Sequence, residues 1–340
     1  MFLKKGLLFL ILSTLSCFIA LQAPKTVTAA GADFTITPIH SAAQSDTTLD
    51  YFSLIAQPQQ RYTLTTQVAN LSATETLDFE ARLLTATTSS YGRINYIPTD
   101  QPKDKSLAHT LPELLVSDQS AIQKFSLAPN TKQAVTYQIQ LPKTDLIGTL
   151  LGSIYVHRLP KAAQKTTTQI QNEFSMIIPI MIRAEKQTPL LPQLSLDKVS
   201  LQSAGGQPEL VAVVHNASPV MFGKIKIEAA VYKKGTTKAL LRQMVKDFEM
   251  APNSTLRHKI ATNQQPLPTG TYRLKLRLTS GAKVFHLNRT FTISNQTRQA
   301  VDEKKIQTAT GPDWAKIWLI ISLITSGCLL LLIGGLYLKR

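Results

Sequence analysis

Two Ser-x-x-Lys quartets, Ser195-Leu196-Asp197-Lys198 and Ser280-Gly281-Ala282-Lys283, match the nucleophile motif of penicillin-binding enzymes. In that chemistry a helix places the lysine beside the serine so that it can take the hydroxyl proton. The first quartet falls in an apolar–polar alternation that predicts a strand. The second falls between two such segments, where Ser-Gly makes a turn. Neither spacing then activates a serine. The six histidines, His40, His109, His157, His215, His258 and His286, form no His-Glu-x-x-His or other tight ligand spacing. There is no Gly-x-Ser-x-Gly elbow and no phosphate loop of the Walker type. The two cysteines, Cys17 and Cys328, sit in the apolar ends, which excludes a disulfide framework and a cysteine zinc site for the rest. The chain is expected to be no enzyme and to carry no cofactor and no metal.

Two groups of residues have the chemistry of binding instead. Tyr91-Gly92-Arg93-Ile94-Asn95-Tyr96 could stack Tyr91 and Tyr96 on sugar rings while Arg93 holds a carboxylate or phosphate. The bland alternative is a loop whose Ile94 and Tyr96 fill a core. Arg273, Lys275 and Arg277 alternate along one segment, so a strand would present all three on one face as a cationic stripe. Charge favours anionic partners generally. Six of the 37 basic residues lie in the first 30 and last 27 positions, which contain no acidic residue. That leaves 31 basic against 21 acidic residues in the middle, a net of +10. Outside a membrane such a balance suits teichoic acids, phospholipid heads or acidic proteins. Nucleic acid is excluded as a partner by compartment and by an aromatic content of 7%.

The elements that must position these residues read as strands. Residues 61–70, 77–83, 135–141 and 154–156 alternate with a period of two, and 174–182 is an apolar run interrupted by Pro179, which predicts an edge or bulged strand. After Pro189 and Pro192 the pattern restarts with 194–201, 210–214, 225–231, 272–278 and 291–293. No helical period lasts three turns between residues 33 and 300, although 111–115 could form one turn. Phe125-Ser126-Leu127-Ala128-Pro129-Asn130-Thr131 recurs as Phe248-Glu249-Met250-Ala251-Pro252-Asn253-Ser254, and Asn70-Leu71-Ser72 as Asn216-Ala217-Ser218. The expected fold is therefore all-β: two tandem, related immunoglobulin-like β-sandwich domains, 31–187 and 190–298, the first with an insertion over 86–123. Asp78, Glu80, Asp247 and Glu249 are expected on solvated strand faces.

The ends set the expected address. Lys4 and Lys5, an apolar run over 6–21 and small residues near Ala30 form a signal peptide, residues 1–30. Residues 317–338 carry no charge over 22 positions, enough to cross a bilayer. With Trp314 and Trp318 at the interface, the expectation is a linker over 299–313, a membrane helix over 314–338 and a cytoplasmic tail, Lys339-Arg340.

The order of these parts resembles the WxL-interacting proteins of Gram-positive bacteria. The resemblance is carried by Tyr51-Phe52, Asn70-Leu71-Ser72, Gly92 to Tyr96, Leu127-Ala128-Pro129-Asn130, Leu141-Pro142 and Gly148 to Gly152. In the second half it is carried by Met250-Ala251-Pro252-Asn253-Ser254, Gly270-Thr271-Tyr272 and Phe291-Thr292-Ile293. Ser153 stands where the family has a second glycine, and Phe285 stands near a place often held by Trp. The resemblance implies a peptidoglycan-binding domain over 31–187, and a host-binding domain over 190–298 that contacts WxL surface proteins or host matrix proteins. It also implies a tie to the lipid bilayer through 317–338, with the ectodomain outside. The alternatives are a membrane-tethered secretion accessory or chaperone for exported wall proteins, and a wall-modifying enzyme.

Overall fold

The computed structural model describes residues 31–309 apart from 117, 145, 161–172, 186–189 and 263–266, together with 317–322 and 325. The expected signal peptide, most of the expected membrane helix and the tail lie outside the described residues. Among the described residues no helix is long and apolar enough to cross a membrane.

Among the described residues up to 309, seventeen strands and one α-helix follow in order: β1 (Phe34–Ile39), β2 (Phe52–Ala56), β3 (Arg61–Asn70), β4 (Leu77–Thr85), β5 (Thr87–Thr88), β6 (Ile94–Asn95), β7 (Ile122–Leu127), β8 (Lys132–Gln140), β9 (Thr149–Arg158), β10 (Ser175–Ala184), β11 (Leu194–Ala204), β12 (Gln207–Asn216), β13 (Phe222–Lys233), β14 (Leu241–Met250), β15 (Ser254–Ala261), β16 (Gly270–Ser280), β17 (Lys283–Ile293) and α1 (Asn295–Ala309). In the first domain a sheet β1-β3-β8 packs on a sheet β2-β10-β9-β4-β7. Period-two alternation sends Tyr62, Leu64, Val68, Tyr137 and Ile139 inward from the first sheet. They meet Phe79, Leu83, Ile154, Ile180 and Ile182 of the second in one core. In the second domain β11-β12-β15 packs on β14-β13-β16-β17 around a separate core built from Leu210, Val214, Ile225, Ile227, Tyr272 and Leu274.

The strand orders coincide. Placing β1, β3, β8 on β11, β12, β15 and β7, β4, β9, β10 on β14, β13, β16, β17 maps each sheet of one domain onto the other, with β2 added parallel to β10. The repeated motifs occupy the same place in both. Asn70, buried at the end of β3, donates from Nδ2 to the carbonyls of Leu127 and Ala128 at 3.0 and 3.1 Å and accepts at Oδ1 from the Ser72 amide at 2.9 Å. Asn216, at the end of β12, donates to the Ala251 carbonyl at 3.2 Å and accepts from the Ser218 amide at 3.2 Å. Asn130 and Asn253 both take positive φ, 56° and 45°, a conformation that asparagine tolerates. Their amides reach the carbonyls of Ser72 and Ser218.

Several expectations are corrected. Pro179 is not on a free edge, because β10 lies between β9 and β2. It sits just before the stretch, Ile180 onward, that β2 covers, so its missing N–H costs no ladder bond there. The turn expected over 111–115 is borne out, as a 3-10 turn at Pro112–Leu114. The strands β1, β2, β7 and β15 were not foreseen, and β14 was foreseen only around Asp247 and Glu249. The expected linker over 299–313 is occupied in large part by α1, capped by the Ser294 hydroxyl, which accepts from the Thr297 amide at 3.1 Å, with Val301 buried in the second core. Glu80 is covered by Arg82 and Lys124 rather than solvated. Burial opposes its charge, but those two cations outweigh burial and hold its carboxyl below the usual range.

Candidate binding surfaces

The insertion between β4 and β7 does not hang free. It folds across the junction and docks on β12, β14 and β15 of the second domain. Thr88 of β5 is fully buried there: its hydroxyl accepts from the Ala251 amide at 3.0 Å and lies 2.6 Å from the Ser254 hydroxyl. The Gly92 carbonyl accepts from the Glu249 amide at 2.9 Å, and the Ile94 amide reaches Glu249 Oε1 at 3.3 Å. Gly92 has φ 68°, and a Cβ there would stand 2.2 Å from the Phe248 ring, so only glycine permits this approach. Asn253 donates to the Ser106 carbonyl and hydroxyl at 3.0 and 3.1 Å. His215 Nε2 lies 2.9 Å from Asp104 Oδ1, and Thr255 donates to Asp104 Oδ2 at 3.2 Å. Burial opposes the charge of Asp104; hydrogen bonds from Ser106 and His215 outweigh it and hold the carboxyl below its ordinary range. On the far side of the junction the Thr149 amide meets the Pro219 carbonyl at 2.8 Å.

The first candidate group is thus split. Arg93 donates to the Asp247 carbonyl and acts as a strut between domains. Tyr96 is partly buried, its phenol pKa raised by burial, and its carbonyl accepts from the buried Ser153 hydroxyl at 2.6 Å. Tyr91 alone stays open, 76% exposed, with the Lys259 ammonium 5.9 Å from its ring centroid. The three residues therefore do not form one polymer clamp. Ser153 ties the insertion to β9 through that bond, as does the Leu151 carbonyl, which accepts from the Ala86 amide at 2.9 Å. Under the docked insertion lies a cleft of about 650 Å³ lined by Ile97, Pro102, Leu107, Asp197, His215 and Arg257, within the size range of small-ligand sites.

The second candidate group is brought together as expected. Arg273, Lys275 and Arg277 point outward from β16 between the buried Tyr272, Leu274, Leu276 and Leu278. The Tyr232 ring on β13 lies 5.9 Å from the Arg273 guanidinium and 5.3 Å from the Lys275 ammonium. Sequence reasoning missed Arg242, which β14 places across Ala230 from Lys275. Its signal was the alternation of 241–250.

The serines of the two Ser-x-x-Lys quartets lie on strands rather than helices. Ser195 lies in β11 and bonds Asp197, and Ser280 donates to the Gly223 carbonyl at 2.6 Å at a strand end. His258 is buried against Phe248, neither ring nitrogen has a hydrogen-bonding partner among the described residues, and burial lowers its pKa to about 4. No group of three or more His, Cys, Asp or Glu placed to hold a metal occurs among the described residues.

Residues 34–158 match the description "WxL Interacting Protein, peptidoglycan binding domain" and residues 165–303 match "WxL Interacting Protein, host binding domain". No curated protein matches the chain. Among solved structures, the class 5 fimbriae chaperone CfaA is 13% identical over 77% of this chain and 99% of its own, with a TM-score of 0.26. The E. coli chaperone DraB is 16% identical over 71% and 93%, with a TM-score of 0.24.

Proposed function

The chain belongs to the WxL Interacting Protein family, and from that premise we propose that it is a non-enzymatic adaptor on a Gram-positive cell surface, anchored in the membrane by residues 317–338. The first domain holds peptidoglycan. The second engages a WxL-domain surface protein or a host matrix protein. The single observation that carries this reading is the order in which two binding-domain descriptions fall on the two sandwiches. The docked insertion supports it physically. An adaptor transmits position between two ligands only if its two halves are coupled, and Thr88, Gly92, Asp104 and Ser106 couple them here.

The test is recruitment. Sacculi incubated with a soluble WxL-domain protein should retain it only when this chain is also present. Retention of the WxL protein to the same extent without the chain would remove the adaptor role.

A further inference from the structure

The outer face of the sheet β14-β13-β16-β17 is concave and cationic. Three cross-strand rows build it. Arg277 stands between Glu228 and His286, Lys275 between Ala230 and Asn288, and Arg273 between Tyr232 and Thr290. Ala230 is the small residue at the floor, and Arg242 rises beyond it on β14. At the β13–β14 turn a second depression is lined by Lys233, Lys234 and Thr236 together with Arg273 and Thr290. Glu228, the acidic side chain lining the first depression, is held by Lys226 at 2.9 Å and Arg277 at 3.4 Å. Arg242, Arg273 and Lys275 have no acidic partner within 4 Å among the described residues.

We propose that this trough binds a linear polyol-phosphate polymer, its phosphodiesters following β16 from Arg277 past Arg273 to Lys233 and Lys234. Outward residues of a strand repeat about every 6.5–7 Å. An extended polyol-phosphate chain repeats its single charge over a comparable distance, so successive phosphates meet successive cations. Arg242, Arg273 and Arg277 have the planar donors that take a phosphate through two bonds. Asn288 and Thr290 offer neutral hydrogen-bonding groups to the hydroxyls between phosphates, and Tyr232 holds Arg273 and Lys275 side by side. A flat bilayer fits poorly, because Ala230 and Lys275 lie in the depression rather than on a ridge. The inference goes beyond the peptidoglycan reading and does not need it, since the ligand meets the second domain.

The test measures binding of the full chain, in detergent, to purified poly(glycerol phosphate) free of peptidoglycan, across a salt series. Arg273→Gln/Lys275→Gln/Arg277→Gln should weaken binding about 30-fold at low salt, taking each exposed charge contact at the upper part of its usual range. Ala230→Phe, which fills the floor and leaves every charge in place, should also weaken it. Lys132→Gln/Lys143→Gln/Lys198→Gln removes the same net charge from exposed positions elsewhere and should bind as wild type. Equal losses in the two triple variants, or unchanged binding in the β16 triple variant or in Ala230→Phe, would overturn the proposal. So would displacement by a sulfated glycan or by anionic vesicles as effective as displacement by the polymer itself. Failure here with intact retention on sacculi would leave the peptidoglycan reading standing.

Discussion

Gly92→Ala should release the insertion from the second domain without unfolding either sandwich. The added methyl would stand 2.2 Å from the Phe248 ring, and the residue must keep φ near 68° for its carbonyl to reach the Glu249 amide. Holding an L-residue there costs about 1–2 kcal/mol, and pushing the ring out of a packed site costs about 1–3 kcal/mol. The docked state should therefore lose about 2–5 kcal/mol, which raises the open population about 30- to 5,000-fold. Native-state hydrogen exchange reads this directly. The amides of Glu249 and Ala251 donate across the junction to Gly92 and Thr88, so both should exchange faster by that factor. The amides of Leu276 and Ile227, inside the second sandwich, should keep their wild-type rates, because each domain has its own core. Unchanged exchange at Glu249 and Ala251 would refute the clamp. Uniform acceleration across the second domain would show that the insertion is part of that domain's fold rather than a separable coupling.

Two further outcomes follow from buried polar groups. His258 has a folded pKa of about 4 against an ordinary value of 6.5, so the unfolded chain takes up the proton first as pH falls. Stability is at its full value above pH 6.5 and is lost progressively down to about pH 4. Between pH 7 and pH 4 the wild type should lose about 3 kcal/mol more than His258→Leu in denaturant titrations, and parallel pH curves would contradict the assignment. Asn70→Ala and Asn216→Ala should each cost about 2–4 kcal/mol in the unfolding of their own domain, because each strands buried backbone carbonyls and an amide. A loss below about 1 kcal/mol at either site would break the equivalence of the two turns.

The sandwiches and their duplication were legible because alternation and the Ala-Pro-Asn turn are local. Asn70 and Asn216 sit in the same Asx turn in both domains, so the repeated residues mark repeated geometry. The stripe on β16 was legible for the same reason, as period-two spacing alone puts Arg273, Lys275 and Arg277 on one face. The docking was not. It joins residues far apart in the chain, Gly92 with Glu249, Thr88 with Ala251 and Asp104 with His215, and no local period or spacing marks such pairings. Arg93 therefore looked available when its guanidinium was already bound to a carbonyl of the other domain. The helix α1 escaped because its sequence has few apolar residues: among the described residues Val301 is buried in the second core, and Ser294 and the Arg298–Asp302 pair add polar support. Glu80 was misplaced since strand position shows direction but not which long side chains fold over it.

On the proposed function this chain holds the cell wall through its first domain. The most direct measurement is co-sedimentation of the full chain, in detergent, with purified sacculi, before and after removal of teichoic acid, over a salt series. The account predicts saturable retention on stripped sacculi that persists near physiological salt, where exposed charges separated by more than about 8 Å are largely screened. Retention that disappears on stripping or with modest salt would contradict it and would leave charge attraction as the only link between this chain and the wall.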